Sequence, residues 1–412
     1  MRAETWKQVC LGIPFLLASI LACGGGGGPA STASSPTPVR PASVDGWFKP
    51  AGRLLQPRAG LTAVSLSPDS ILVMGGSATP GGAGLQTVEI YRPSKQRSAL
   101  TQSLNFGRTG HAVVRLPDGQ YLVSGGTDSS TCETYDTTAR LFTPASGMVT
   151  PRSGHSATIM GQFPFQVLIA GGLTGGAPAM ALERFDPATG AFTPAGTLPL
   201  APGHTATRLP SGKVLLVSHT DSAGGWQPFA ALYDPATGRA APTAGQPSSP
   251  REGHQAMFLE RPPKVLILGG NGGHGPMRSA EWYDPATDRF TVCSNPMVSP
   301  RQDFGAALVS GGQLLLLGGS VDGHTATASA ERFDPATGLF AATGDLGAPR
   351  RSPVVLSLDS GDVLVLGGSN ETQGCLAGVE VYSLTREPQE PWPPLPGGRP
   401  PKPPHQPWTP LS

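Results

Sequence analysis

The feature that most confines this chain is a short apolar run closed by a glycine pair, which returns along most of its length. ILVMGG ends at Gly76, YLVSGG at Gly126, VLIAGG at Gly172, VLILGG at Gly270, LLLLGG at Gly319 and VLVLGG at Gly368. VLLVSH, ending at His219, stands between the third and the fourth. Counting it, seven units follow one another at spacings of 46 to 51 residues. A unit of that size cannot bury an apolar face alone, so it must stack on copies of itself.

Each unit repeats one order of elements. A first run such as GHAVVRL (from Gly110) leads through a tight turn, PDGQ or PSGK, into the glycine-closed run. A third run carries an acid and an aromatic: VEIY, CETYD, LERFDP, EWYDP, ERFDP and VEVY, with ALYDP in the fourth unit. A fourth run begins after DPATG, where Pro presets φ and the last Gly can take φ > 0, as a hairpin with a bulge requires. The chain's 56 Gly and 45 Pro belong to turns between short strands rather than to long helices. The second run is apolar on both faces, as expected of a strand held between neighbouring sheets.

Four short antiparallel strands per unit make a propeller blade. The glycine pair, the acid–aromatic third run and the unit length resemble the Kelch repeat over residues 45 to about 386. The expected fold is therefore all-β, a seven-bladed Kelch-type β-propeller with four antiparallel strands per blade. Trp47 to Arg58, WFKPAGRLLQPR, matches a fourth strand with no first three before it, while the last unit ends after VEVYS at Ser383. The N-terminal strand is expected to close the C-terminal blade and so remove an exposed edge.

Residues 1–22 read as a secretory signal: Arg2 and Lys7, then an apolar stretch too short to span a membrane securely. The end of this segment, Ile20-Leu21-Ala22-Cys23, resembles the lipobox of bacterial lipoproteins, which implies lipidation at Cys23. Leu21 is bulkier than the usual residue there, and Gly24 is not the Asp that retains such proteins in the inner membrane. Outer-membrane or surface display is the implied location, with the membrane met through the lipid alone. Residues 23–44 form a Gly/Ser/Pro tether and 387–412 a Pro-rich tail expected to be disordered. Cys132, Cys293 and Cys375 are too few and too scattered for a disulfide framework and are expected as free thiols. With 29 Lys and Arg against 28 Asp and Glu and no basic cluster, nucleic acid is excluded as a partner.

Arg58, Arg108, Arg152, Arg251, Arg301 and Arg350 precede the first strands; Glu89, Glu133, Glu183, Glu281, Glu331 and Glu380 open the third. In the fourth unit both are alanine, Ala201 and Ala231, so each Arg is expected to meet the Glu of its own blade. His111, His155, His204 and His254 share one repeat position and read as scaffold. Function is expected where the repeats differ, in the loops between second and third strands, which in a propeller share one face. On that face His219, Asp221 and Trp226 in blade 4, His274 and Arg278 in blade 5, and Asp322 and His324 in blade 6 are the candidate ligand-binding residues. No HxH or HExxH fixes a metal, no catalytic motif is present, and no cofactor is expected.

The reading is a monomeric binding module for protein or glycan at the cell surface. The alternatives are an envelope scaffold or a carbohydrate-active enzyme, since the resemblance extends to galactose-oxidase-like copper enzymes and sialic acid mutarotases. The six tyrosines argue against the former. Five, Tyr91, Tyr135, Tyr233, Tyr283 and Tyr382, fill the third-strand position, and Tyr121 opens a second strand, so none is in a variable loop.

Overall fold

The computed structural model describes residues 46–384 apart from Asp128 and Phe163. The signal, Cys23 with its tether, and the tail from residue 387 lie outside the described residues. Among those described there is no α-helix, only two three-residue 3-10 turns, and no helix long and apolar enough to cross a membrane.

Five four-stranded antiparallel sheets follow one another in chain order, and the first and last blades join into one eight-stranded sheet through a parallel pairing of Arg53 with Arg97. Blade 1 holds Ala59–Ser67, Ser70–Ser77, Val88–Arg92 and Arg97–Leu100; blade 4 holds Thr205–Arg208, Val214–Ser222, Gly225–Asp234 and Arg239–Pro242. The last blade takes Val354–Ser357, Val363–Leu366 and Gly378–Ser383 from the C-terminal end, and Trp47–Arg53 as its outer strand. Trp47 pairs with Ser383 and Phe48 with Tyr382, so the N-terminal strand closes the ring as expected.

Seven apolar clusters lie between blades, each drawing on two neighbours. The second strands explain why. Leu216 faces the cluster shared with blade 3 and Leu215 and Val217 the one shared with blade 5, so one strand feeds two cores. Each such side chain is fully buried and contributes about 1.5–3 kcal/mol.

The glycine pair ends the second strand's ladder with the third, at Met74↔Val88 in blade 1 and Ser124↔Cys132 in blade 2, because both residues are left-handed: φ is 58° at Gly125 and 85° at Gly126. A Cβ on Gly125 would come within 2.7 Å of the His155 ring in the next blade, so that histidine also requires the glycine. Where the strands part, the repeated arginine enters. Arg108 Nη1 donates to Gly125 O (2.6 Å) and Thr131 O (2.8 Å), while Nε and Nη2 donate to Glu133 Oε1. Glu133 Oε2 accepts the Asn105 N–H of the incoming linker at 2.7 Å. All six Arg–Glu pairs are within a blade, at 2.6–2.9 Å and almost wholly buried, and each fastens a linker to the blade it enters.

The four repeated histidines bridge blades. His111, His155, His204 and His254 place Nε2 2.7–2.9 Å from Thr62, Ser124, Ser156 and Thr205 of the preceding blade. Burial drives all four below the ordinary histidine range, His111 to about 3 and His204 to about 4.

Cys132, Cys293 and Cys375 are free, and burial raises all three thiols, Cys132 and Cys293 to about 11. Because the thiolate is the reactive form, Ellman's reagent at pH 8 should label these three sites within minutes only after denaturation. Rapid labelling of the native protein at any of them would contradict this burial.

Candidate functional site

Blade 4 departs from the other blades through one coupled change. With Ser218-His219 in place of the glycine pair, nothing forces the strand to stop, and its ladder with the third strand runs on from Val217↔Ala230 to Ser222↔Gly225. The parted strands that an arginine would bridge are now paired. Arginine and glutamate are both replaced by alanine, and Ser218 Oγ accepts the Ala201 N–H at 3.0 Å.

This longer hairpin carries three of the candidate residues. His219 and Asp221, two apart on one strand, share a face, and Trp226 pairs with Asp221 across the ladder, diagonal to His219. The imidazole and indole stack with centroids 3.7 Å apart and planes 17° from parallel. His219 is 2% exposed, its Nδ1 has no hydrogen-bond partner, and Nε2 is 3.9 Å from the exposed Asp221 carboxylate. Burial keeps the ring neutral at pH 7, with Asp221 opposing. Gly273 of blade 5 closes on the same indole: a Cβ there would stand 3.5 Å from Cδ2 and Cε3. Trp226 is thus partly enclosed rather than an open platform.

Below the loops, the residue two after each repeated arginine position is left-handed in every blade: Gly60, Gly110, Gly154, Gly203, Gly253, Asp303 and Ser352. Consecutive members bond to one another, Gly110 N to Gly60 O (3.1 Å), Gly154 N to Gly110 O (2.7 Å), Gly253 N to Gly203 O (3.1 Å), Asp303 N to Gly253 O (2.9 Å) and Ser352 N to Asp303 O (2.7 Å). The residue before each is Ala59, Thr109, Ser153 or Pro202 in blades 1–4, but Glu252, Gln302 or Arg351 in blades 5–7. Charge is therefore confined to one arc of this belt.

Within the arc, the buried Asp303 accepts Arg351 Nη2 at 2.9 Å and Gln302 Nε2 at 3.3 Å. Arg351 Nη1 also donates to His324 O at 3.2 Å. The Gln302 Oε1 has no partner. Glu252 is partly buried, and burial, reinforced by the negative charges of Asp303 and Asp221, pushes its carboxyl up to about 7. Glu252 therefore lies within electrostatic reach of the hairpin and of blade 6.

The other candidates divide. His274 is exposed next to Gly273, beside the Trp226 stack. His324 is exposed and joined to the arc through its carbonyl. Arg278 Nε donates to Met297 O, which turns its head towards the linker leaving blade 5. Asp322 is spent on its own loop: it accepts the N–H groups of His324 and Thr325 and the Ser320 hydroxyl, which hold the carboxyl well below the usual range.

The Kelch motif family model matches residues 262–297, the second to fourth strands of blade 5. Among solved structures the chain is similar to a fungal alcohol oxidase of the AA5 family in complex with copper, at 17% identity and TM-score 0.66, covering 82% of this chain and 76% of that one. The chain is a Kelch-type β-propeller. This propeller is also similar to YjhT, at 13% identity and TM-score 0.51, over 66% of this chain and 93% of that one. No curated protein sequence matches it.

A tyrosine-based copper centre does not fit the propeller's residues. Tyr91, Tyr135, Tyr233, Tyr283 and Tyr382 are fully buried between blades, and Tyr121 is 5% exposed, so no tyrosine reaches the loop face. No group of three or more His, Cys, Asp or Glu is arranged to hold a metal among the described residues.

Proposed function

We propose that this propeller is a non-enzymatic binding module, displayed at the cell surface on a lipid at Cys23, that takes its ligand on the loop face above blades 4 to 6. One observation carries the reading: the hairpin of blade 4, freed from the repeat by the loss of its glycine pair, packs Trp226 and His219 beside Gly273 of blade 5 and sets Asp221 within electrostatic reach of Glu252, at the start of the arc that holds Asp303 and Arg351. Loops held by a rigid scaffold are where such proteins recognise partners. The export signal and the Gly/Ser/Pro tether supply the display.

A glycan and small-sugar array probed with residues 45–386 tests this. The expected result is binding that falls at least about tenfold in Trp226→Ala, an aromatic removal worth over 1 kcal/mol. Binding that persists unchanged in this variant would move the site away from blade 4. Membrane fractionation of the full chain against Cys23→Ser tests the anchor: the variant should be found released.

A further inference from the structure

The charged arc is rich in acceptors and poor in donors. Among the described residues no cation pairs with Asp221 or Glu252 beyond the 3.9 Å approach of neutral His219 to Asp221. The Glu252 N–H bonds Asn271 O at 3.0 Å, and Asn271 Oδ1 accepts the N–H of Gly273, the residue that lies against Trp226. Asp303 spends its charge on Arg351, whose second amino group is taken by the His324 carbonyl. Gln302 turns its amino group to Asp303, leaving Oε1 as a buried acceptor with no donor. His219, 2% exposed, leaves its Nδ1 without a hydrogen-bond partner and turns Nε2 towards Asp221. Asp221 and Asp303, joined by Glu252 as pH rises through about 7, stand against one guanidinium and leave this side of the mouth negative, whereas blades 1–3 present Ala59, Thr109 and Ser153 at the same level.

A group that satisfies such a site carries positive charge and several N–H donors in a compact head. We propose that the ligand is recognised through a primary ammonium group, held by Asp221 and Glu252 beside the Trp226–His219 stack. This rests on the loop-face reading above and adds the chemical class. A carboxylate- or phosphate-bearing ligand would meet uncompensated like charge there. An ammonium is drawn to the mouth by its field and donates to carboxylates that have no other cation.

The test is calorimetric titration of the propeller with glucosamine, N-acetylglucosamine and Nα-acetyl-lysine amide, repeated on Glu252→Gln and Asp221→Asn. Asp221 is exposed, so its variant leaves the fold intact and guards against misfolding of the other. Binding of glucosamine, of the lysine amide or of both, absent for N-acetylglucosamine, is expected. Which amine binds tells a sugar source from a peptide one. Each variant should weaken it roughly tenfold or more, the loss of one charge-assisted hydrogen bond. Equal binding of glucosamine and N-acetylglucosamine, or binding indifferent to both variants, overturns the ammonium proposal. If such binding still disappears in Trp226→Ala, the loop-face reading survives alone. No binding of either amine overturns the ammonium proposal outright.

Discussion

Replacing Glu133 by alanine should lower the propeller's stability by about 3–5 kcal/mol, read as a fall in the urea midpoint, because it leaves a buried guanidinium without its counter-charge. The side chains of Arg108 and Glu133 are wholly buried, and burial already pulls the equivalent Arg58, Arg152 and Arg350 below their ordinary range against the pull of their glutamates. In the double variant Arg108→Met/Glu133→Leu the stranded charge is gone, so part of the loss should return. It should not return in full. Gly125 O, Thr131 O and Asn105 N would each lose a partner while Gly125 and Gly126 still hold the strands apart. Blade 4 avoids that cost only because its strands stay paired and Ser218 meets Ala201. A Glu133→Ala variant of unchanged midpoint would mean that water reaches the site and the pair contributes little.

The second large effect is acid lability. His111, His155, His204 and His254 have folded-state values depressed far below the ordinary 6.5, chiefly by burial. Between the folded and unfolded values the unfolded chain binds protons that the folded one refuses. Their contribution is therefore intact above about pH 6.5 and is lost as pH falls towards 3 to 4. Glu252 acts in the opposite sense, since its raised value favours the folded state at low pH and that contribution fades as pH rises through about 7. Four groups against one leave a net three protons, a slope of about 4 kcal/mol per pH unit between pH 6 and 5. Urea midpoints measured from pH 7.5 to 5 should fall accordingly, with a smaller slope in His111→Phe, since Phe304 fills the same repeat position in blade 6. A flat profile would show that the imidazoles reach protons without unfolding.

What the sequence disclosed follows from repetition. The glycine pairs, the arginines and glutamates and the histidines each recur, so position alone marked them as scaffold, and the joint loss of Arg and Glu in blade 4 already implied contact within a blade. Glu252, Gln302, Asp303 and Arg351 escaped notice for the same reason. They occupy repeat positions next to the arginine rather than variable loops, and attention to loops passes over them. A signal was available: the residue after the arginine is small or neutral in four blades and polar or charged in the next three, and Asp303 replaces a glycine that must be left-handed. Arg278 and Asp322 failed to converge with the others because a backbone carbonyl or amide within reach outcompetes a distant ligand site, which residue type does not reveal. The enclosure of Trp226 depends on Gly273 in another blade, a contact with no sequence mark.

The seam of the ring has a mechanical side. Trp47 opens its strand opposite Ser383, which closes the partner strand, so the flanking segments leave the propeller from neighbouring points at one end of a single antiparallel pair. Tension drawn between those two segments loads the pair rung by rung, like a zipper, starting with Trp47 and Ser383. Tension between the leading segment and anything gripping the loop face instead loads the Trp47–Arg53 strand along its length, with every rung resisting together. The same strand is thus a weak fastening in the first geometry and a strong one in the second.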